Sequence, residues 1–170
     1  MHVQAHDYIA RAVQKHGPIT GDVAELGSCD VNGGVKALFP QARSYFGVDI
    51  TAGPNVDLVI DAADWMPTQQ YDCIVSTETF EHTPRWPEIL AVAAKALAPD
   101  GLILITCAAN PRKPHSAHTD RARVTYGEYY GNVSQQIFKR AANIAGLTAE
   151  IIMDYEHGDL YATCRLKEVA

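Results

Sequence analysis

The stretch "VAELGSCDVNGG", Val23 to Gly34, decides the fold. It opens with an apolar run of the kind that fills a strand buried on both faces, then breaks into glycine, serine, aspartate and asparagine. In an open parallel sheet, ligands bind beyond the carboxyl ends of the strands, where the first strand turns toward its helix, and this stretch has the order of such a turn. Gly27 supplies a bend without a Cβ and lets a ligand approach the backbone. Gly33 and Gly34 are expected to relieve crowding where a following helix leaves the sheet, and free N–H groups at that helix start would face an anion. Downstream, "YFGVDI" ends a second strand in Asp49, 22 positions after Gly27. An acid at about that interval accepts hydrogen bonds from ribose hydroxyls.

Outward from this turn, strand-like runs ("DVAEL", "SYFGVDI", "VDLVIDA", "YDCIVST", "GLILITC") alternate with helical patterns ("GGVKALF", "WPEILAVAAKALA", "SQQIFKRAANIAG"). Such alternation predicts a mostly parallel sheet covered on both faces. Near the end, "AEIIMDY" and "YATCRL" flank "HGD", which predicts an antiparallel C-terminal hairpin at the sheet edge. The leading segment His2 to His16 places Val3, Tyr8, Ile9, Ala12 and Val13 on one helical face and stops at Gly17-Pro18. No repeat, low-complexity tract or long linker divides the 170 residues, so a single domain over 1–170 is expected. The least regular region is Ala108 to Asn132, rich in proline, histidine and arginine, and a loop of that length in a compact domain is usually functional or mobile.

The formal charge of −6, with both signs interspersed, argues against nucleic acid and anionic membrane as partners of the surface as a whole. No apolar run reaches the roughly 18 residues that span a bilayer, and the N-terminus lacks the apolar block of a signal peptide. A cytoplasmic setting is therefore expected. Cys29, Cys73, Cys107 and Cys164 lie far apart with no C-x-x-C pair, which points to small core residues and away from a disulfide framework or a zinc site.

A dinucleotide would ask for G-x-G-x-x-G, but the three positions here read Gly27, Cys29 and Asn32. The chain instead resembles class I S-adenosylmethionine-dependent methyltransferases. In that family the first strand ends in an acid and a glycine turn, here Glu25-Leu26-Gly27. The second ends in a ribose-binding acid, here Asp49, and the third in an acid with a small neighbour, here Asp61-Ala62. The fourth strand leads into a short motif, "YDCIVSTETFEHTPRWPEIL", and "LAPDGLILIT" announces the fifth. These features occur in order from about Asp22 to Thr106, with "GSCDVNGG" placing Cys29 and Val31 where the commoner E-x-G-x-G-x-G has glycines.

The resemblance implies a Rossmann-like α/β three-layer sandwich and S-adenosylmethionine as cofactor. It implies cofactor contacts from Glu25, Gly27, Ser28, Asp49, Ile50, Asp61, Ala62, Ser76 and Glu78. Glu25 and Asp49 would accept from the α-ammonium and the ribose, Asp61 from the adenine amino group, and Ala62 would leave the ring face clear. The fourth-strand exit lies nearest the methyl in this family, which makes Glu81 and His82 the candidate catalytic residues. Either has a plainer reading: Glu81 as an acid opening the next helix, His82 as a packed ring. The string E-x-x-E-H is not the metalloprotease H-x-x-E-H, because Glu78 stands where the first histidine would.

Within the long loop, "PRKPHSAHTDRAR" gathers Arg112, Lys113, His115, His118, Arg121 and Arg123, a basic segment able to clamp an anionic acceptor or to remain a solvated lid. His115, His118 and Tyr126 are the expected substrate contacts, with Tyr129 and Tyr130 as further aromatic wall or loop anchors. No metal is expected: His115, His118 and Asp120 read more simply as polar loop residues. The expected function is methyl transfer to an unidentified acceptor, with a small molecule favoured. Two alternatives stand beside it, a catalytically silent cofactor-binding subunit and a nicotinamide oxidoreductase. Nucleic-acid base methylation is disfavoured by the overall acidity and by the lack of an Asn-Pro-Pro-aromatic motif after the fourth strand. The oligomeric state is not legible.

Overall fold

The computed structural model describes residues 2–117 and 123–168. Seven strands form one sheet: β1 (Asp22–Leu26), β2 (Ser44–Asp49), β3 (Leu58–Val59), β4 (Tyr71–Thr77), β5 (Leu97–Ala108), β6 (Leu147–Asp154) and β7 (Asp159–Leu166), in spatial order β3-β2-β1-β4-β5-β7-β6. The first five run parallel, while β7 pairs antiparallel with both β5 and β6. This is the Rossmann-like three-layer arrangement, with the expected C-terminal hairpin at one edge.

Every residue of β1 is buried, as a central strand covered on both sides requires. Because side chains alternate across a strand, β1, β4 and β5 feed two cores. On one face, Val23, Cys73, Val75, Leu102 and Leu104 pack against Tyr8, Ile9 and Ala12 of α1 (Val3–His16). On the other, Ala24, Leu26, Ile74, Ile103 and Ile105 meet Ile89, Leu90 and Ala93 of α2 (Trp86–Ala96) and Phe138 and Ala142 of α3 (Gln135–Ile144). A ring stack of Phe80, Trp86 and Phe138 ties α2 and α3 to the turn after β4, with Trp86 and Phe138 6.0 Å apart at 8°. Ser134 caps α3 by accepting from Ile137 N at 3.3 Å, and Pro87 lies in the first turn of α2, where its missing N–H has no helical partner to lose. Cys73, Cys107 and Cys164 are buried free thiols. No helix among the described residues is long and apolar enough to cross a membrane.

Two expectations change. The helix expected in "GGVKALF" is only a 3₁₀ turn, Lys36–Leu38. Two glycines precede it and Pro40 closes it, so too few residues remain to meet the nucleation cost of an α-helix. The helix start expected to face an anion is therefore absent. Val3 is 70% exposed, and Ala5 takes the buried place on α1 instead.

Candidate functional site

A cavity of about 680 Å³ opens at the carboxyl edge of β1, β2 and β4, a size suited to a small-molecule ligand. At one end, the backbone of the β1 exit is laced to β2. Gly27 N and Ser28 N both donate to Val48 O, at 2.8 and 3.2 Å. Asp49 accepts from Cys29 N at 3.0 Å and Thr51 N at 2.8 Å. Gly27 has φ +80°, and a Cβ there would collide with Thr79, so this turn demands glycine on both counts.

Glu25 lines the same end yet is only 2% exposed, with Tyr45 donating to its Oε2 at 2.8 Å. Burial pushes its pKa up to about 7, against the opposing pull of the Tyr45 hydroxyl. Ser28 Oγ is buried and has no hydrogen-bond partner among the described residues, an orphaned polar atom in a ligand-sized space. Asp61 and Ala62 also line the cavity. One oxygen of Asp61 caps a turn by accepting from Ala63 N at 2.9 Å, and the other accepts from Arg85 Nη1 at 2.8 Å.

The other end is assembled from segments far apart in sequence. Glu78 leaves β4 at φ +52°, an uncommon conformation for a residue with a Cβ. Its carboxylate accepts from Thr106 Oγ1 and Arg112 Nη2, both at 3.1 Å, and stands 3.2 Å from His2 Nε2. Asp159, fully buried at the start of β7, accepts from Arg112 Nη1 at 2.6 Å and Tyr161 OH at 2.8 Å, and lies 3.3 Å from His2. Burial opposes charge on His2, but Asp159 and Glu78 outweigh it and push its pKa to about 10. Glu78 is likewise drawn down, burial notwithstanding, by His2 and Arg112. Two buried acids and two cations thus balance one another beside the cavity.

Next to this network, Phe80 plugs the core and holds the 3₁₀ turn Phe80–His82 in place. Glu81 within it is fully buried, and neither carboxylate oxygen has a well-aligned hydrogen-bond partner among the described residues. Burial, and then the charge of Glu78, raise its pKa well above the usual carboxylate range. His82 and His115 line the cavity, their rings edge to face at 4.9 Å, and Tyr130 packs edge to face on both at 5.5 and 5.0 Å. The loop that carries His115 is tied down at Ser116, which donates to Glu128 at 2.7 Å, and at Gly131, whose N–H donates to Glu81 O at 2.8 Å.

The sequence matches the family model for a methyltransferase domain over residues 6–150. The chain belongs to this family. Among solved structures it is similar to DhpI in complex with S-adenosylhomocysteine, at 23% identity, TM-score 0.67, covering 96% of this chain and 87% of that one. It is also similar to 1,6-didemethyltoxoflavin-N1-methyltransferase of Burkholderia thailandensis, solved with 1,6-didemethyltoxoflavin and S-adenosylhomocysteine, at 16% identity and TM-score 0.71, covering 96% and 79%. A third is the N-methyltransferase NodS of Bradyrhizobium japonicum WM9 with S-adenosylhomocysteine, at 14% identity and TM-score 0.68, covering 97% and 87%. None of the curated proteins matches the chain in sequence.

In this methyltransferase domain one cavity is lined by Glu25, Gly27, Ser28, Asp49, Ile50, Asp61, Ala62, Glu78, His82 and His115. Ser76 does not join them. It is 1% exposed and its hydroxyl donates to Leu26 O at 2.7 Å, so it ties β4 to β1. Glu81 sits behind the lining. Tyr126 is wholly exposed and does not line the cavity; Tyr130 holds the aromatic position beside His82. His118, Asp120 and Arg121 lie outside the described residues. Arg112, expected in an anion clamp, gives its charge to Glu78 and Asp159 instead. His2 escapes sequence reasoning altogether: nothing in an N-terminal histidine signals that α1 begins over the exit of β4.

Proposed function

We propose that this chain transfers the methyl group of S-adenosylmethionine to a small acceptor. The observation that carries this reading is that one cavity joins Glu25, Asp49 and Asp61, at three successive strand exits, to His82 and His115 at its far end. The residues fit the cofactor. Glu25 and Asp49 offer acceptors, the orphaned Ser28 hydroxyl offers a donor, and Ala62 presents no bulk. The cofactor supplies an electrophilic methyl on a sulfonium whose departure leaves a neutral thioether, so no general acid is needed. The protein's work is to align the acceptor, an effect worth up to about 7 to 11 kcal/mol in favourable cases.

At the acceptor end, His82 lines the cavity as the polar group that draws off the acceptor's proton, Glu81 stands buried behind it, His115 shares the wall, and Tyr130 packs on both imidazoles. A small acceptor suits the limited space, and the toxoflavin-type enzyme, solved with its small acceptor beside S-adenosylhomocysteine, supports that size class. Calorimetric titration with S-adenosylhomocysteine and with NAD tests the cofactor. Binding of NAD with silence from S-adenosylhomocysteine would overturn the reading. Transfer of a labelled methyl group to members of an acceptor panel then separates an enzyme from a silent binder.

A further inference from the structure

We infer that Glu81, His82 and His115 hold a divalent transition-metal ion at the acceptor end of the cavity. Ligand atoms of the three side chains all lie within 4.8 Å of one another, close enough for one ion to bind all three. The second observation is independent of that spacing. Glu81 is fully buried, and neither of its oxygens has a well-aligned partner among the described residues. The backbone N–H groups of Glu81 and Ala108 ease its charge only in part against full burial, so a carboxyl in that position carries a proton or faces a cation. His2 and Arg112 are committed to Glu78 and Asp159, so neither is free to answer a charge on Glu81, and a bound cation would.

The donor set fixes the class of ion. Two imidazoles and a carboxylate suit Zn²⁺, Co²⁺ or Fe²⁺, whereas Mg²⁺ and Ca²⁺ favour oxygen alone. The supports of a metal site are also in place. The Lys113 carbonyl, 3.2 Å from His115 Nδ1, can only accept, so Nδ1 carries the hydrogen and Nε2 keeps its lone pair. Tyr130 packs on both imidazoles, and the Gly131 N–H holds the Glu81 backbone. A second cluster, His2, Glu78 and Asp159, has similar spacing, but Arg112 already bonds both of its carboxylates and fills the cationic role there.

Because His82 and His115 line the cavity and Glu81 lies behind it, the ion would have protein on one side and open coordination positions toward the acceptor. Resting on the proposed methyl transfer, its part is to bind an acceptor oxygen and make its proton easier to lose to water in the open cavity. The oxygen's lone pair then forms the bond to the methyl carbon as the methyl–sulfur bond breaks and leaves a neutral thioether, so that Glu81 and His82 act on the acceptor through the ion.

The test is titration of chelator-stripped chain with Co²⁺, followed by visible absorption and calorimetry, with Zn²⁺ as competitor. One equivalent of Co²⁺ displaced by Zn²⁺ is expected. Glu81→Gln and His115→Ala should each weaken binding by more than the roughly 10–100-fold typical of losing an outer-sphere partner. His6→Ala, on α1, should leave it unchanged. Circular dichroism checks folding, and His115→Ala decides the matter if Glu81→Gln does not fold. Absence of Co²⁺ uptake, or uptake that survives His115→Ala, overturns the site. S-adenosylhomocysteine binding measured on the same preparation separates the two proposals. A chain that binds it but takes no Co²⁺ loses the metal and keeps the cofactor. A chain whose Co²⁺ uptake depends on these residues, yet which ignores S-adenosylhomocysteine, keeps the metal alone.

Discussion

At the Glu25 end of the cavity, the ligand-facing groups sit on or just past the last residues of neighbouring strands. At the His82 end they come from the chain's N-terminus, a 3₁₀ turn and a loop beyond β5. The first end is held by backbone hydrogen bonds that the sheet makes in any case, such as Gly27 N and Ser28 N to Val48 O. The second is held by side chains that balance buried charge, His2 and Arg112 against Glu78 and Asp159. A site built on strand ends is rigid by inheritance and tolerates change elsewhere. One built on a charge network stands or falls with each member.

The sharpest way to break this contrast is Arg112→Met. It leaves Glu78 and fully buried Asp159 with only His2 to answer two charges, and removing one partner from a buried ion pair costs about 3–5 kcal/mol. Urea unfolding should show that loss, while any remaining folded protein should bind S-adenosylhomocysteine with little change. A mutant that keeps its stability would show that the network is ornamental. Asp49→Ala probes the opposite end. It removes a charged acceptor from Cys29 N and from the proposed ribose position, so S-adenosylhomocysteine binding should weaken by about 1.5–3 kcal/mol, roughly 10–100-fold, by calorimetry. Unchanged affinity would take Asp49 out of the site.

A smaller effect comes from pH. Glu25 has a folded-state pKa of about 7, above the carboxylate's ordinary 4.5. The stability its proton confers is fully present below the ordinary value and is lost as pH rises through about 7. Ligand binding runs the other way, since only ionised Glu25 attracts an ammonium group. Affinity for S-adenosylhomocysteine should rise about tenfold between about pH 6 and about pH 8, with proton release visible in buffers of different ionisation enthalpy. Glu25→Gln should flatten that rise. A flat profile in the unaltered protein would mean that Glu25 keeps its proton in the complex.

The same contrast separates what is legible in the amino-acid sequence from what is not. Glu25, Asp49 and Asp61 are legible because a strand's end is visible in sequence as an apolar run that stops at an acid, and a parallel sheet brings successive ends to one edge. The covering of the sheet on both faces follows from the alternation of strands and helices, and the C-terminal hairpin from "HGD" between apolar runs. Contacts between residues distant along the chain leave no such mark. His2 reaches Glu78 and Asp159 only after α1 docks on the sheet, and Arg112 meets the same two acids only when β7 inserts beside β5. Ser76 reads as a wall residue from its place after an apolar run, but its hydroxyl turns inward to Leu26 O, a choice that depends on β1 lying alongside. The missing helix after Gly34 is a local misreading: five residues between a glycine pair and a proline carry an apolar pattern without the length to form one.

The smallest predicted effect distinguishes Tyr126, the substrate contact expected from sequence, from Tyr130, expected there as a further wall residue or loop anchor. Tyr126 and Tyr130 lie in one loop, four positions apart, and either is a reasonable aromatic wall for the acceptor on sequence grounds. The first is wholly exposed, with Gly127 beside it at φ +89°, so the chain turns outward there. The second donates to Asn132 Oδ1 at 3.0 Å and covers both imidazoles. Tyr126→Ala should therefore stay within about 0.5 kcal/mol in unfolding and leave S-adenosylhomocysteine and Co²⁺ binding as they were, as expected of a surface change. Tyr130→Ala, by uncovering His82 and His115, should loosen Co²⁺ binding while sparing the cofactor end. If Tyr126→Ala impaired methyl transfer to an acceptor at constant cofactor affinity, the loop would have to close further over the acceptor than its present contacts place it, and the His82 end would be completed only with acceptor bound.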